Sequence, residues 1–175
     1  MNHDHDTVVF DLDGTLVRLA VEWDVVAREV ATVLEERDIV PPDSLWGMLE
    51  AADENGAREA VERVIASHER DGARDSERLP AADTVPEGPV AVCSLNAEEA
   101  CRIALDTHDI DGIGAVVGRD SLATEKPDPE PLLEAVERLG GDPAGTLFIG
   151  DSDTDHKTAE RAGTDYVDVS EWLRA

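Results

Sequence analysis

Lysine is nearly absent from this chain: Lys126 and Lys157 are its only two in 175 residues. Basic residues number fifteen against 41 acidic ones, giving a formal net charge of −26. Nucleic acid and anionic membrane are poor partners for such a surface, because both require a basic footprint. Cysteine is equally scarce. Cys93 ends an apolar run and Cys101 lies on an expected helix face, so both read as small buried residues rather than a disulfide framework. No apolar run has the length needed to cross a bilayer. The start, Met1-Asn2-His3-Asp4-His5-Asp6, lacks the basic and apolar regions of a signal peptide, and its alternating His and Asp residues read as a terminal segment, not a metal site. These absences lead to the expectation of a soluble, cytoplasmic protein. A surface so acidic and poor in lysine reads as adapted to high salt, where screening suppresses self-repulsion.

The apolar residues that are present are patterned, which argues for folding despite the charge. Val8-Val9-Phe10 reads as a short buried strand, and Asp11-Leu12-Asp13-Gly14-Thr15-Leu16 follows where that strand ends. Trp23, Val26, Ala27, Val30 and Leu34 recur at helical spacing and predict a helix over 22–37. Pro41-Pro42 stops it. Asp43 or Ser44 is placed to cap a second helix running to about Ala52, and a third is expected from about Ala57 to His68. The stretch 71–88 is polar and turn-rich and reads as a return linker, so no strand is expected between about 18 and 78. Beyond it, strand and helix alternate. Strands are expected at 90–93, 114–117, 146–149 and 166–167, with helices after Ala97, over 129–139 and 154–162, and at 170–173. That alternation predicts a parallel sheet covered by helices.

Polar clusters stand at the ends of three of these apolar runs: Asp11/Asp13, Ser94, and Gly150-Asp151-Ser152-Asp153-Thr154-Asp155. In a parallel α/β sheet such ends meet at one edge, where ligands bind. A fourth cluster, Thr124-Glu125-Lys126-Pro127-Asp128, precedes a helix. Taken singly, each has a structural alternative. Asp-Gly is ordinary turn chemistry, Ser94 could cap a helix, Asp151 and Asp155 could be helix N-terminal acids, and Lys126 could be a surface lysine.

In order and type, the four clusters resemble the four motifs of the haloacid dehalogenase superfamily. Asp11 to Leu16 matches Asp-x-Asp-Gly-Thr-Leu, Ser94 the second motif, Lys126-Pro127 the third, and Gly150-Asp151-Ser152-x-x-Asp155 the fourth. Leu95 intervenes before Asn96, whereas many relatives place Asn directly after the motif-two residue, so Asn96 is not assigned a substrate contact. The resemblance implies a Rossmann-like parallel sheet with helices on both faces, formed by residues 1–17 and 80–175. It also implies a small all-α cap inserted at 18–79.

For activity, the resemblance implies a Mg²⁺-dependent phosphatase that hydrolyses a small phosphorylated metabolite through an aspartyl-phosphate. Asp11 would be nucleophile and metal ligand, Asp13 acid/base and a ligand through its carbonyl, and Asp151 the remaining ligand. Ser94 and Lys126 would bind phosphate, and Asp155 would support Lys126 or the metal. The second Asp sets phosphoryl transfer apart from dehalogenation, and an insertion without lysine excludes Schiff-base phosphonate chemistry. The alternatives are a non-catalytic protein retaining the fold, or a phosphotransferase or phosphomutase. The sequence does not choose between phosphoglycolate, a sugar phosphate and other esters. It is silent on oligomeric state, and Arg18 carries no assignment.

Overall fold

The computed structural model of the chain describes residues 5–175; His3 and Asp4 of the terminal His/Asp alternation lie outside that range. His5 is inside it, its Nε2 lying 2.7 Å from Asp165 Oδ2. The architecture grows outward from strand β1 (Thr7–Phe10), all four residues of which are buried. Strands β4 (Val90–Cys93) and β6 (Thr146–Gly150) flank it, and β5 (Ile113–Val117) and β7 (Asp165–Asp168) complete a five-stranded sheet ordered β5-β4-β1-β6-β7. Every pairing is parallel, with Val9 opposite both Ala91 and Phe148. From β1 the chain winds one way to β4 and β5 and later the other way to β6 and β7. The carboxyl end of β1 is therefore a topological switch point, where an open α/β sheet forms its crevice.

Side chains alternate across the sheet with period two. Val9, Ala91, Cys93, Val117 and Phe148 face helices α5 (Glu130–Arg138) and α6 (Asp153–Ala162). Val8, Phe10, Val92 and Ile149 face α4 (Glu98–Thr107) and the short α7 (Val169–Trp172). Helices thus cover both faces of the sheet. Cys93 and Cys101 are fully buried and free, and burial pushes the Cys93 thiol up to about 12. They behave as small apolar residues.

Between β1 and β4 the chain forms helices α1 (Trp23–Glu35), α2 (Leu45–Glu54) and α3 (Arg58–Arg74) around a small core of their own. Val26, Val30, Leu34, Met48, Leu49, Val61 and Ile65 fill it. Ser44 caps α2, its hydroxyl accepting from Gly47 N at 3.0 Å. The expected end of the third helix near His68 is corrected, because α3 runs on to Arg74. Glu69, Gly72 and Ala73 are buried there, so packing against the rest of the protein holds two turns that carry no apolar stripe. The expectation of no strand in this region is corrected as well. Strand β2 (Val17–Arg18) pairs antiparallel with β3 (Glu77–Arg78), drawing together the two ends of the helical segment. A two-residue ribbon has no room for a period-two signal.

Candidate active site

Asp11 leaves the carboxyl end of β1, Ser94 that of β4 and Asp151 that of β6. A cleft of about 210 Å³ opens over these strand ends, and Asp11, Asp13, Ser94, Lys126, Asp151 and Asp155 all line it. The sheet thus brings together at one edge all six residues singled out from the sequence.

Lys126 joins them electrostatically. Its buried ammonium donates to Asp11 Oδ1 at 2.8 Å, Asp155 Oδ1 at 2.5 Å and the Cys93 carbonyl at 3.1 Å. Burial opposes the charge, but Asp11 and Asp155 outweigh it and hold the lysine above its ordinary value. Asp11 is raised as well, which for a carboxyl favours the neutral form. Burial, with Asp155 and Asp151 adding to it against the pull of Lys126, raises its carboxyl to about 7.

Asp155 is held by a turn at the start of α6. Ser152 caps that helix by accepting from Asp155 N, and its hydroxyl donates back to Asp155 Oδ2 at 2.8 Å. The same oxygen accepts from Asp151 N at 3.2 Å. Gly150 makes the approach possible, since a Cβ there would lie 2.5 Å from Asp155 Oδ2. On the facing loop, Gly14 has φ +88°, and a Cβ on it would lie 2.1 Å from Asp151 Oδ2. The two glycines thus let two carboxylates close in on the end of β1.

Asp13 is half-buried, and its Oδ1 accepts from Leu19 N at 2.9 Å. Burial is the largest influence on its carboxyl and raises it above the usual range; Glu69 adds to this while Leu19 N and Arg18 oppose it. The shift favours the protonated form of Asp13. Asp151 is also raised, by burial first and then by Asp155 and Asp13.

The carboxylate oxygens of Asp11, Asp151 and Asp155 lie within 4.8 Å of one another. Such a set of hard oxygen donors fits a small divalent cation. Asp155 is already committed to Lys126, Ser152 and Asp151 N, which leaves Asp11 and Asp151 the better placed of the three to hold one.

Asn96 also lines the cleft, despite its one-residue displacement. Ser94 Oγ donates to Asn96 Oδ1 at 3.0 Å, and Asn96 Nδ2 donates to Glu69 Oε1 at 3.1 Å. Glu69 is fully buried on α3 and also accepts from Ala97 N and from both terminal nitrogens of Arg119. Sequence reasoning missed this chain of contacts, because its members lie on separate elements at unrelated spacings. It also placed Trp23 on the apolar stripe of α1. Instead Val26, Val30 and Leu34 form the buried face, and Trp23 lines the cleft with Trp46. Arg18 stays outside the cleft lining and pairs with Glu77. Asp153 and Lys157 are exposed on α6.

Comparison with known proteins agrees with this geometry. A family model described as haloacid dehalogenase-like hydrolase matches residues 88–169. Phosphoglycolate phosphatase of Aquifex aeolicus is 30% identical, over 90% of this chain and 81% of the relative. The Rhodospirillum rubrum phosphoglycolate phosphatase is likewise 30% identical, over 93% of this chain and 78% of the relative. Among solved structures, a HAD-superfamily hydrolase from Geobacter sulfurreducens superimposes with a TM-score of 0.62 at 22% identity. That match covers 94% of this chain and 89% of the other. The chain belongs to the haloacid dehalogenase-like hydrolases and is a phosphatase of that family.

Proposed function

We propose that the protein hydrolyses a small phosphate monoester through an aspartyl-phosphate on Asp11. The observation that carries this reading is the Lys126 ammonium held between Asp11 and Asp155, with Asp151 alongside. A carboxylate attacking an anionic phosphoryl group needs that charge cancelled at the point of attack. Lys126 supplies one positive charge, fixed by three hydrogen bonds. Asp11, Asp151 and the Asp13 carbonyl would hold Mg²⁺, which supplies further charge neutralisation when bound.

An Asp11 carboxylate oxygen attacks phosphorus and the bond to the ester oxygen breaks. Asp13, whose burial favours the protonated form, donates its proton to that departing oxygen. In the second half, Asp13 takes a proton from a water as the water attacks phosphorus. The Asp11–phosphorus bond breaks, inorganic phosphate leaves, and both carboxyl groups return to their starting states. Ser94 exchanges its hydrogen bond to Asn96 for one to a phosphoryl oxygen. Asp155 keeps Lys126 aimed at Asp11. The helices α1 to α3 act as a cap that covers the leaving group and limits water.

The test is phosphate release from p-nitrophenyl phosphate. Release should require Mg²⁺, cease with a chelator, and fall by at least about a thousandfold in Asp11→Asn, consistent with loss of a covalent nucleophile. Turnover that survives Asp11→Asn would overturn the mechanism.

A further inference from the structure

The cleft lining is of two unlike kinds. Toward the strand ends it is charged, and Lys126 is the one cationic side chain among the described residues lining it. Its three protons are committed to Asp11, Asp155 and the Cys93 carbonyl. Around it stand Asp11, Asp13, Glu69, Asp151 and Asp155. The nearby arginines are engaged elsewhere. Arg119 is buried against Glu62 and Glu69, Arg58 pairs with Asp53, Glu62 and Glu125, and Arg18 pairs with Glu77.

The apolar part of the lining is formed by Trp23, Trp46 and Leu95. The chain has only six aromatic residues, three of them tryptophan. Two of those tryptophans are spent here, with Trp23 40% and Trp46 50% exposed. Two half-exposed indoles beside one cleft leave aromatic surface there for a ligand to cover. A second hollow of about 280 Å³ shares Trp46, Leu95 and Lys126 with the first and is also lined by Pro127, Thr154 and Glu125, the last paired with Arg58. Trp46 therefore borders both hollows.

We propose that this cleft selects phosphate monoesters whose alcohol is uncharged and ring-bearing, with Trp46 and Trp23 as the residues that read the ring. The proposal rests on the phosphatase reading above. The phosphoryl group takes the available positive charge. A second anion on the leaving group, such as the carboxylate of phosphoglycolate, would find no further cationic side chain among the described residues lining the cleft, Lys126 being taken by Asp11, Asp155 and the phosphoryl group. A ring face gains by covering indole surface that is otherwise wet.

The test compares esters with matched leaving atoms: benzyl phosphate, 4-carboxybenzyl phosphate and phosphoglycolate, all alkyl esters. Expected is a kcat/KM at least about tenfold higher for benzyl phosphate than for either carboxylate-bearing ester, a margin within reach of pocket discrimination. Trp46→Ala should lower the benzyl-to-phosphoglycolate ratio about tenfold, and Trp46→Phe should restore most of it. Calorimetric titration of the three esters into Asp11→Asn should give the same order without turnover. Equal or preferred use of the carboxylate esters overturns the proposal. So does a ratio unmoved by Trp46→Ala, or phosphoglycolate turnover that collapses in Arg18→Ala. Absence of phosphate release from every ester overturns the phosphatase reading instead, while the titrations still decide the selectivity.

Discussion

Arg119 and Glu69 form a buried ion pair that joins the sheet edge to the helical insertion. Arg119 follows β5, and its Nη1 and Nη2 reach Glu69 Oε1 at 2.7 Å and Glu69 Oε2 at 2.9 Å. The same guanidinium donates to Glu62, two turns earlier on α3, and to the Leu95 carbonyl. Planar fork geometry is what lets one cation serve two carboxylates and a carbonyl. Burial opposes the charge, yet Glu69 and Glu62 outweigh it and hold the arginine above its ordinary value.

Removing Arg119 leaves the Glu69 carboxylate buried without its cation. Arg119→Met should cost about 3–5 kcal/mol of stability, the usual penalty for breaking one partner of a buried pair. Arg119→Met combined with Glu69→Leu should recover part of that loss, because no buried charge is then stranded. Denaturant unfolding of the single and double variants measures both. Equal stabilities for Arg119→Met and the parent would show that the pair is not coupled to folding.

Gly14→Ala attacks the site from the other side of the cleft. The backbone there has φ +88°, and the new methyl would lie 2.1 Å from Asp151 Oδ2, so Asp151 must retreat. The strain should cost about 1–3 kcal/mol. Activity should fall more steeply, by about a hundredfold or beyond, because a misplacement of about 1 Å at a catalytic group is enough for that. The Mg²⁺ concentration at half-maximal rate should rise with it, and titrating rate against Mg²⁺ in both proteins checks this.

How much of this was legible in the sequence follows from where the physics is local. Val8-Val9-Phe10 and the later apolar runs announced the strands because a parallel sheet buries both faces. The acids and Ser94 announced the site because they fall where those runs stop. Glu69 was silent. It sits in a polar stretch of α3 and is buried against Arg119, fifty residues on, a pairing that no local pattern shows. Trp23 misled for a related reason, since helical spacing shows which residues share a stripe and not which end of that stripe faces a cleft. The two-residue ribbon of Val17–Arg18 with Glu77–Arg78 exists only through its partner.

The raised carboxyl of Asp11 has a consequence for stability against pH. In the folded protein it titrates near 7, against an ordinary value of 3.8. Between roughly pH 4 and pH 7 the folded state therefore holds more protons at this group than the unfolded state, and stability falls as pH rises. Below that window both states are protonated; above it the penalty is complete. Asparagine cannot titrate. In chelator, Asp11→Asn should melt above the parent by a margin that opens from pH 4 to pH 7 and then levels off. Added Mg²⁺ should narrow the margin by binding the ionised parent. Thermal melts across this pH range, with and without Mg²⁺, measure it, and a margin constant with pH would contradict the assignment.

The charge of −26 predicts a dependence on salt. Surface pairs such as Arg63 with Glu59 weaken as salt is added, but exposed pairs contribute little. Acidic residues exceed basic ones by 26, from 41 and 15, so repulsion between unpaired carboxylates is the larger quantity to be screened. Raising salt from about 0.1 M to about 1 M shortens the screening length from about 10 Å to about 3 Å, below the spacing of most surface charges. Relief of repulsion should therefore prevail, and the melting temperature should rise by several degrees between 0.1 M and 2 M KCl. NaCl should act alike, because screening depends on ionic strength rather than on the cation. Replacing exposed acids that take part in no ion pair among the described residues, such as Glu35 and Glu36, by glutamine should flatten the response in proportion to the charge removed. A melting temperature that holds level or falls with salt would mean that the ion pairs outweigh the excess charge.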